Sequence, residues 1–208
     1  YVNKPLIMHL PIIGLPDEEV TIAELIKEHR PQYATAHFGK WHINGGGPER
    51  HGYDASTGET SNREGETKDP NPKRIFSITK SGNDWMEKQV AAKKSFFMQI
   101  SHYATHLSMQ SRESTLNDAK ARKAGKRHNN AMHAAMAEDL DTGVGMTLAK
   151  IKELGIEDNT YVIYIADNGT YPVISPGNVN GPLHGWKATT WEGGFRAPCV
   201  VKWPAKIK

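Results

Sequence analysis

The apolar residues in the middle of the chain recur at helical spacing. Between residues 131 and 154 they follow intervals of four and three, which predicts one long amphipathic helix. Gly155 stands where helices commonly end. The apolar positions are Met132, Met136, Leu140, Val144, Leu148, Ile151 and Leu154.

A second helix is predicted near the N-terminal end of the sequence. Thr21 and Glu24 have the spacing of a capping box, in which each side chain bonds to the other residue's backbone N–H. Pro31 disfavours helix at the residue before it, so the helix is expected to end at or before Arg30.

Four short apolar segments have the composition of buried strands. They are residues 33–38, 95–101, 160–166 and 197–203. Their alternation with helices predicts an α/β layered domain with a largely parallel central sheet flanked by helices. In such sheets ligands bind beyond the carboxyl ends of the strands.

Residues 43–84 show no apolar periodicity and are rich in Gly, Pro, Asn and charged residues. The composition predicts a long irregular excursion over the surface of the domain. Loops of this length are more often functional or mobile than passive connectors.

Composition excludes several classes of protein. The 208 residues carry a net charge of +3, which is too small to indicate nucleic acid as the main partner. No window approaches the roughly 18 consecutive apolar residues of a membrane span. The single cysteine, Cys199, excludes an internal disulfide and a cysteine-cluster metal site.

Several polar residues fall at the predicted strand ends. Asp167 and Asn168 follow a strand and offer the oxygen ligands that calcium or magnesium prefers, although Asp-Asn-Gly is also a common turn. Lys40 and His42 follow another strand, and in extended geometry their side chains face the same way, where both could meet one anion. Either residue could equally belong to an ordinary surface loop.

Two histidines follow the strand over residues 95–101. His102 and His106 are four apart, but they lie after a strand without an HExxH pattern, so a zinc pair is not expected. A general acid at the strand end is the better interpretation. Farther along, Lys187 precedes a glycine turn and could neutralise an anionic leaving group, or be a surface lysine.

Four blocks of sequence together resemble the sulfatase family of the alkaline-phosphatase-like superfamily. The blocks, in chain order, are TIAELIKEHRPQYATAHFGKWH, SFFMQISHYATHLSMQ, AMAEDLDTGVGMTLAKIKELGIEDNTYVIYIADNG and LHGWKATTWEGGFRAPCVVKWPAKI. The resemblance implies a partial sulfatase catalytic domain over residues 1–208, in an alkaline-phosphatase-like fold. It also implies hydrolysis of sulfate monoesters to an alcohol or phenol and sulfate.

The resemblance implies a role for each matching position. Lys40 and His42 would contact the sulfate and the hydrated nucleophile. His106 would protonate the leaving oxygen with help from Lys187. His102 matches no functional position and is interpreted as structural.

The resemblance implies one calcium ion, with Asp167 and Asn168 among its ligands. It also implies a formylglycine nucleophile, made by a formylglycine-generating enzyme from a Cys or Ser in a Cys/Ser-x-Pro-x-Arg motif. That motif is expected upstream of Tyr1, so the chain itself should lack its nucleophile. Cys199 lies within a predicted strand and is interpreted as a packing residue.

The expected substrate is a sulfated small molecule or carbohydrate, and the family resemblance implies a periplasmic or secreted protein. A phosphatase or phosphonate-ester hydrolase of the same superfamily is the alternative enzyme. A non-catalytic pseudoenzyme that keeps the pocket is the alternative outside catalysis.

Overall fold

The computed structural model describes residues 14–126, 128–172 and 180–207. Its helices are α1 (Ile22–His29), α2 (Ile75–Ala91), α3 (Glu113–Ala121), α4 (Ala131–Glu153) and the single-turn α5 (Glu192–Phe195). Its strands are β1 (Ala34–Gly39), β2 (Ala55–Ser56), β3 (Phe96–Ser101), β4 (Val162–Ile165) and β5 (Cys199–Lys202). Short 3-10 turns cover Pro48–His51, Arg63–Gly65, Pro72–Arg74 and Glu157–Asn159.

The strands form two separate sheets. Three parallel strands lie in the order β2-β1-β3, with Ala36 opposite Ala55 and Gly39 opposite Ser101. The strands β4 and β5 form an antiparallel pair. The α/β prediction, with a parallel sheet flanked by helices, is confirmed, while the last two strands pair only with each other among the described residues.

The hydrophobic core lies between the parallel sheet and α2. All six residues of β1 are buried. Ala36 and Phe38 of β1 pack with Ile78 of α2 and with Tyr103, which follows β3. A strand that is buried on both faces loses its alternating pattern, which explains why β1 has no polar side chain pointing to solvent.

Both hydrogen bonds of the predicted capping box are present at the start of α1. The Thr21 hydroxyl accepts a hydrogen bond from the Glu24 backbone at 3.3 Å, and the Glu24 carboxylate accepts one from the Thr21 backbone at 2.8 Å. A capping box of this kind satisfies two N–H groups that a helix start otherwise leaves unpaired.

Residues 43–84 differ from the irregular surface excursion that composition predicts. The segment contributes β2 to the sheet, buries His51, Thr60 and Lys73, and enters α2 at Ile75. The buried face of α2 has helical spacing, but it includes Thr79, Gly82 and Asn83 as well as apolar residues. The apolar pattern therefore does not reveal where the helix begins.

Helix α3 has no signal in the apolar pattern because its buried side consists of Thr115 and Ala119. It is held by Asp139 of α4, whose side chain is fully buried. The Asp139 carboxylate accepts hydrogen bonds from the Arg112 backbone at 2.7 Å, from Arg112 Nε at 2.8 Å and from the Thr115 hydroxyl at 2.8 Å. A partner from a distant helix thus satisfies the start of α3.

The β4–β5 pair is open to solvent on much of its surface. Ile163, Ile165 and Val200 are more than half exposed, and Cys199 is exposed as well. The interpretation of Cys199 as a packing residue is therefore wrong for this structure: its strand pairs along one edge, but its side chain is not covered. Among the described residues, no helix combines the length and the apolar character needed to cross a membrane.

Candidate functional site

The first part of the site is the turn where the chain leaves β1. Gly39 has φ of 102°, and a Cβ at this position would lie 2.1 Å from the carbonyl oxygen of Ser101. The Lys40 backbone donates a hydrogen bond of 2.7 Å to the same carbonyl. The close approach of the ends of β1 and β3 thus fixes the point from which Lys40 extends, and only glycine fits there without strain.

Two threonine hydroxyls from the 43–84 segment hold this turn. Thr57 Oγ1 accepts from the Gly39 backbone at 2.9 Å. Thr60 Oγ1 donates to the Gly39 carbonyl at 3.0 Å and accepts from the Trp41 backbone at 2.8 Å. The Thr60 carbonyl accepts from the His42 backbone at 2.8 Å. The segment therefore shapes the site even though its sequence shows no regular pattern.

A buried aromatic cluster lies beneath the same turn. The Trp41 ring stacks on His51 with centroids 5.8 Å apart and meets His37 edge-on at 5.3 Å. Trp41 Nε1 donates to the Asn44 carbonyl at 2.6 Å. Burial lowers the pKa of His37 to about 4, so this ring is neutral within the cluster. The cluster anchors Trp41, which lies between Lys40 and His42 in the chain.

His106 lies in the loop that follows β3. Its Nδ1 lies 2.7 Å from the Leu107 carbonyl oxygen, which can only accept, so Nδ1 carries a hydrogen and donates it. Burial lowers the pKa of His106, and the positive charges of Lys40, Lys187 and Lys73 lower it further, against the opposing effect of the Leu107 carbonyl.

His102 faces the helices and not the site. Its Nε2 lies 2.9 Å from the hydroxyl of Thr79 in α2. Burial lowers its pKa to about 4, offset in part by a hydrogen bond to the Ile75 backbone. These contacts agree with the structural interpretation of His102 made from the sequence.

The second part of the site joins the Asp167 turn to the Lys187 loop. The Gly169 backbone donates to the Gly194 carbonyl at 3.0 Å, and the Lys187 backbone donates to the Thr170 carbonyl at 3.2 Å. A Cβ on Gly169 would lie 1.7 Å from the carbonyl oxygen of Gly193. The glycines allow this close approach of the two backbones, which joins the Asp167 turn to the Lys187 loop.

The side chain of Asn180 bridges these two loops. Its Oδ1 accepts from the Thr170 backbone at 2.9 Å, and its Nδ2 donates to the Gly185 carbonyl at 3.0 Å. Asn180 is absent from the residues that the sequence suggested. A lone Asn in a loop rich in Gly and Pro carries no signal of such a role.

The electrostatic effects between side chains show which predicted residues lie together. Burial lowers the pKa of Lys40. The positive charges of Lys187 and Lys73 lower the pKa of Lys40 further, and the negative charge of Asp167 raises it. Lys40 and Lys187 also act on His106. Four of the predicted residues, from loops far apart in the chain, therefore lie near enough for their charges to act on one another. This group of three basic side chains and one carboxylate is named the cationic pocket.

His42 differs from these residues. Its side chain is exposed, and its backbone has φ of 50°, an unusual value for a residue other than glycine. The Thr60 carbonyl fixes its backbone, and among the described residues its ring forms no hydrogen bond with Lys40 or His106. Its role remains a prediction.

Asp167 and Asn168 fit a hard cation by their donor chemistry. Both present side-chain oxygens shortly after β4, and neither side chain forms a hydrogen bond with another described residue. The described part of the chain contains no cluster of three or more His, Cys, Asp or Glu residues that could hold a metal by itself. These two residues could therefore supply part of a coordination sphere.

The structure adds one cation that the sequence did not suggest. Lys73 has only 1% of its side chain exposed and forms an ion pair with Glu66 at 2.7 Å. Lys73 and Arg74 have consecutive left-handed φ values of 50° and 54°. An Asn-Pro turn signal precedes them in the sequence, but it does not indicate that the lysine side chain turns inward.

Comparison with known proteins places the chain in a family. A family model described as Sulfatase matches residues 1–208. N-acetylgalactosamine-6-sulfatase of Canis lupus familiaris is 26% identical over 230 residues, covering 93% of this chain and 41% of that protein. The chain therefore spans about two fifths of the length of this curated relative.

Solved structures show the same fold. The crystal structure of Ps i-CgsB in complex with k-i-k-neocarrahexaose matches with a TM-score of 0.76 at 22% identity, covering 92% of this chain and 49% of that one. The structure of BT4656 in complex with its substrate D-glucosamine-2-N,6-O-disulfate matches with a TM-score of 0.65 at 16% identity, covering 94% of this chain and 57% of that one.

The resemblance noted in the sequence motifs is thus confirmed over the whole chain. The match extends through the Lys40 turn, the His106 loop, the Asp167 turn and the Lys187 loop. This chain belongs to the sulfatase family.

Proposed function

We propose that the full-length protein containing this chain hydrolyses sulfate monoesters of a carbohydrate. One observation carries the proposal: Lys40, Lys187 and His106 lie near enough for their charges to act on one another, and Asp167 acts on Lys40 with the opposite sign. A pocket that places several cations close together is electrostatically unfavourable when empty and favourable around a bound anion. Such an arrangement suits the charge that builds on a sulfate group during transfer.

The two lysines of this pocket bind and orient the sulfate. Lys187 lowers the pKa of Lys40, so an anion between the two ammonium groups relieves their repulsion. We therefore expect the pKa of Lys40 to rise when sulfate binds. His42, on the exposed side of the same turn, would contact the nucleophile segment or the substrate.

His106 donates the proton that the leaving oxygen needs. The Leu107 carbonyl holds the hydrogen on Nδ1, so a second proton, which makes the ring cationic, resides on Nε2. Burial and three neighbouring positive charges make the ring release that proton readily. The neutral ring that remains keeps its Nδ1–H bond to Leu107, so the ring does not need to reorient during the transfer.

Asp167 and Asn168 would hold the calcium ion of the proposed site. Calcium would supply positive charge to the sulfate, and a formylglycine formed upstream of Tyr1 by a formylglycine-generating enzyme would supply the nucleophile. The residues of this chain would bind and orient the ester and deliver the proton.

The carbohydrate substrate is proposed from two structural neighbours. Their structures hold a neocarrahexaose and a disulfated glucosamine. An exported protein, periplasmic or secreted, would meet such substrates outside the cytoplasm, and we propose that location for this protein.

The test is an assay of the full-length protein produced together with a formylglycine-generating enzyme. Sulfated mono- and oligosaccharides are compared with matched phosphate and phosphonate esters, with and without a calcium chelator. We expect sulfate release that falls on chelation and is lost in Lys40→Ala. Lys80→Ala removes an exposed lysine of α2 and is the matched control. Preference for phosphate esters would support the phosphatase alternative, and no turnover of any ester would support a pseudoenzyme.

A further inference from the structure

The ion pair between Lys73 and Glu66 lies next to the pocket just described. The Lys73 side chain is 1% exposed, and that of Glu66 is 42% exposed. Lys73 acts on the pKa values of both Lys40 and His106, which shows that its charge reaches the pocket. Its Nζ donates a hydrogen bond of 2.7 Å to Glu66 Oε1, so the ammonium is paired within the protein.

Gln110 connects this ion pair to the chain that follows His106. The Gln110 Oε1 accepts from the Thr67 backbone at 3.2 Å and from the Lys73 backbone at 3.0 Å. Two backbone donors fix which end of the amide faces them, so Gln110 Nε2 must point the other way. It donates to Glu66 Oε2 at 2.8 Å.

The Glu66 carboxylate also reaches the His106 loop directly. Its Oε1 accepts from the Ser108 backbone at 3.4 Å, two residues beyond His106. The hydrogen bond from Lys73 lowers the pKa of Glu66 more than any other contact does, which keeps the carboxylate ionised. One carboxylate therefore holds a buried lysine, a glutamine and the loop backbone together.

We propose that Glu66, Lys73 and Gln110 form a clamp that positions His106 for proton transfer, with Glu66 as its central positioning residue. The inference rests on the proposed function, because His106 needs this precision only if it delivers a proton. The clamp acts through the loop and touches no substrate. It also sets the charge that His106 experiences, because Glu66 compensates the Lys73 ammonium.

The charges of the clamp determine what each substitution in it should do. Only the lysine of this pair is buried, so removing Glu66 leaves a buried charge without compensation. Glu66→Gln keeps an acceptor for Lys73, but it places an amide NH₂ group against Gln110 Nε2, which is also a donor. Lys73→Met leaves the carboxylate without its lysine. The two changes therefore alter the charge near His106 in opposite directions.

The experiment compares the full-length variants Glu66→Gln, Lys73→Met and the double variant with the unchanged protein. For Glu66→Gln we expect kcat to fall about 10- to 100-fold, since small displacements of catalytic groups have effects of this size. KM should change little, because the lysines that bind the sulfate remain in place. Asp84→Asn breaks the exposed Lys80–Asp84 pair and is the matched control, with unchanged kinetics.

The pH dependence separates positioning from general damage to the fold. A general acid must be protonated, so activity falls as pH rises through the pKa of His106. Glu66→Gln should move this alkaline limb of the pH–activity profile to lower pH. Lys73→Met should move it to higher pH, in each case by roughly half a pH unit or more. In the double variant the limb should return towards its original position.

NMR titration of His106 in the same proteins gives a reading that is independent of turnover. Opposite shifts of the His106 pKa in the two single variants would support the clamp even if no sulfate ester were hydrolysed, a result that would overturn only the proposed function. Equal shifts in both variants, or unchanged kcat and pKa with Glu66→Gln, would overturn the clamp. Thermal unfolding of each variant identifies any loss that comes from misfolding.

Discussion

Two regions of the molecule contribute to the same pocket but hold their residues in different ways. The sheet region (β1, β3, α2 and α4) supplies Lys40 and His106 from the ends of buried or half-buried strands. The hairpin region (β4, β5, α5 and the loops between β4 and β5) supplies Asp167 and Lys187 beside exposed strands. The packed core therefore holds Lys40 and His106 in place, whereas contacts between loops hold Asp167 and Lys187.

The difference predicts different consequences of mutation. In the sheet region, the turn at Lys40 is tied to Thr60 and Ser101 by hydrogen bonds at the edge of the core. In the hairpin region, backbone contacts at Gly169 and the side chain of Asn180 join the loops. Changes in the first region should lower stability and activity together, whereas changes in the second should lower activity more than stability.

The largest effect is expected from Gly39→Ala in the sheet region. The new Cβ would overlap the Ser101 carbonyl, and alanine disfavours φ of 102°. Together these should lower the free energy of unfolding by about 3 kcal/mol or more and abolish activity. Urea unfolding of the full-length protein, with the sulfate-release assay, measures both.

Gly145→Ala is the control for this substitution. Gly145 lies on an open face of α4, with no atom near the position of an added Cβ. Alanine should stabilise the helix by about 0.5 to 1 kcal/mol without changing activity. Equal stability of the two variants would contradict the argument that the ends of β1 and β3 approach too closely for a side chain.

Helix α1 and strand β1 were predictable because local chemistry determines them, whereas the start of α2 was not. The capping box at Thr21 depends on residues three apart, and β1 is continuously buried, so each has a signal in the sequence. Helix α3 depends instead on Asp139, which lies beyond it in the chain and is fully buried. Partners of this kind become visible only after the chain has folded.

A second prediction uses pH to separate the regions. Burial lowers the pKa of His37 and of His102 to about 4, from an ordinary value of 6.5, and both rings lie in the sheet region. The unfolded chain therefore binds more protons than the folded chain between these values. The stability from the two neutral rings is complete above pH 6.5 and is lost as pH falls towards 4.

The loss should reach on the order of 3 kcal/mol for each ring. Urea midpoints of the unchanged protein and of His102→Gln, measured from about pH 4 to pH 7, test this, and the variant should show the shallower pH dependence. Parallel curves would contradict the prediction. Hydrogen exchange should show the acid-induced opening first in the amides of β1 and β3.

The sequence marks the candidate site residues but not the contacts that hold them in place. Lys40, His106, Asp167 and Lys187 stand at strand ends or in a motif, and these positions drew attention to them. Nothing local marks Thr57, Thr60 or Lys73, because their contacts join segments that are far apart. The irregular composition of residues 43–84 gives no indication that this segment bonds to the turn at Lys40.

The smallest effect on stability is expected from Asn180→Ala in the hairpin region. The change removes the bonds to the Thr170 backbone and to the Gly185 carbonyl, so the Asp167 turn and the Lys187 loop lose the side chain that joins them. Because Gly169 and Gly194 still hold the backbones together, the free energy of unfolding should fall by only about 1 kcal/mol. Activity should fall about tenfold or more, since Lys187 moves relative to Lys40.

Val200→Thr, on the exposed face of β5, is the control and should leave both quantities unchanged. A loss of stability in Asn180→Ala as large as that of Gly39→Ala would show that the hairpin region depends on a packed core as the sheet region does.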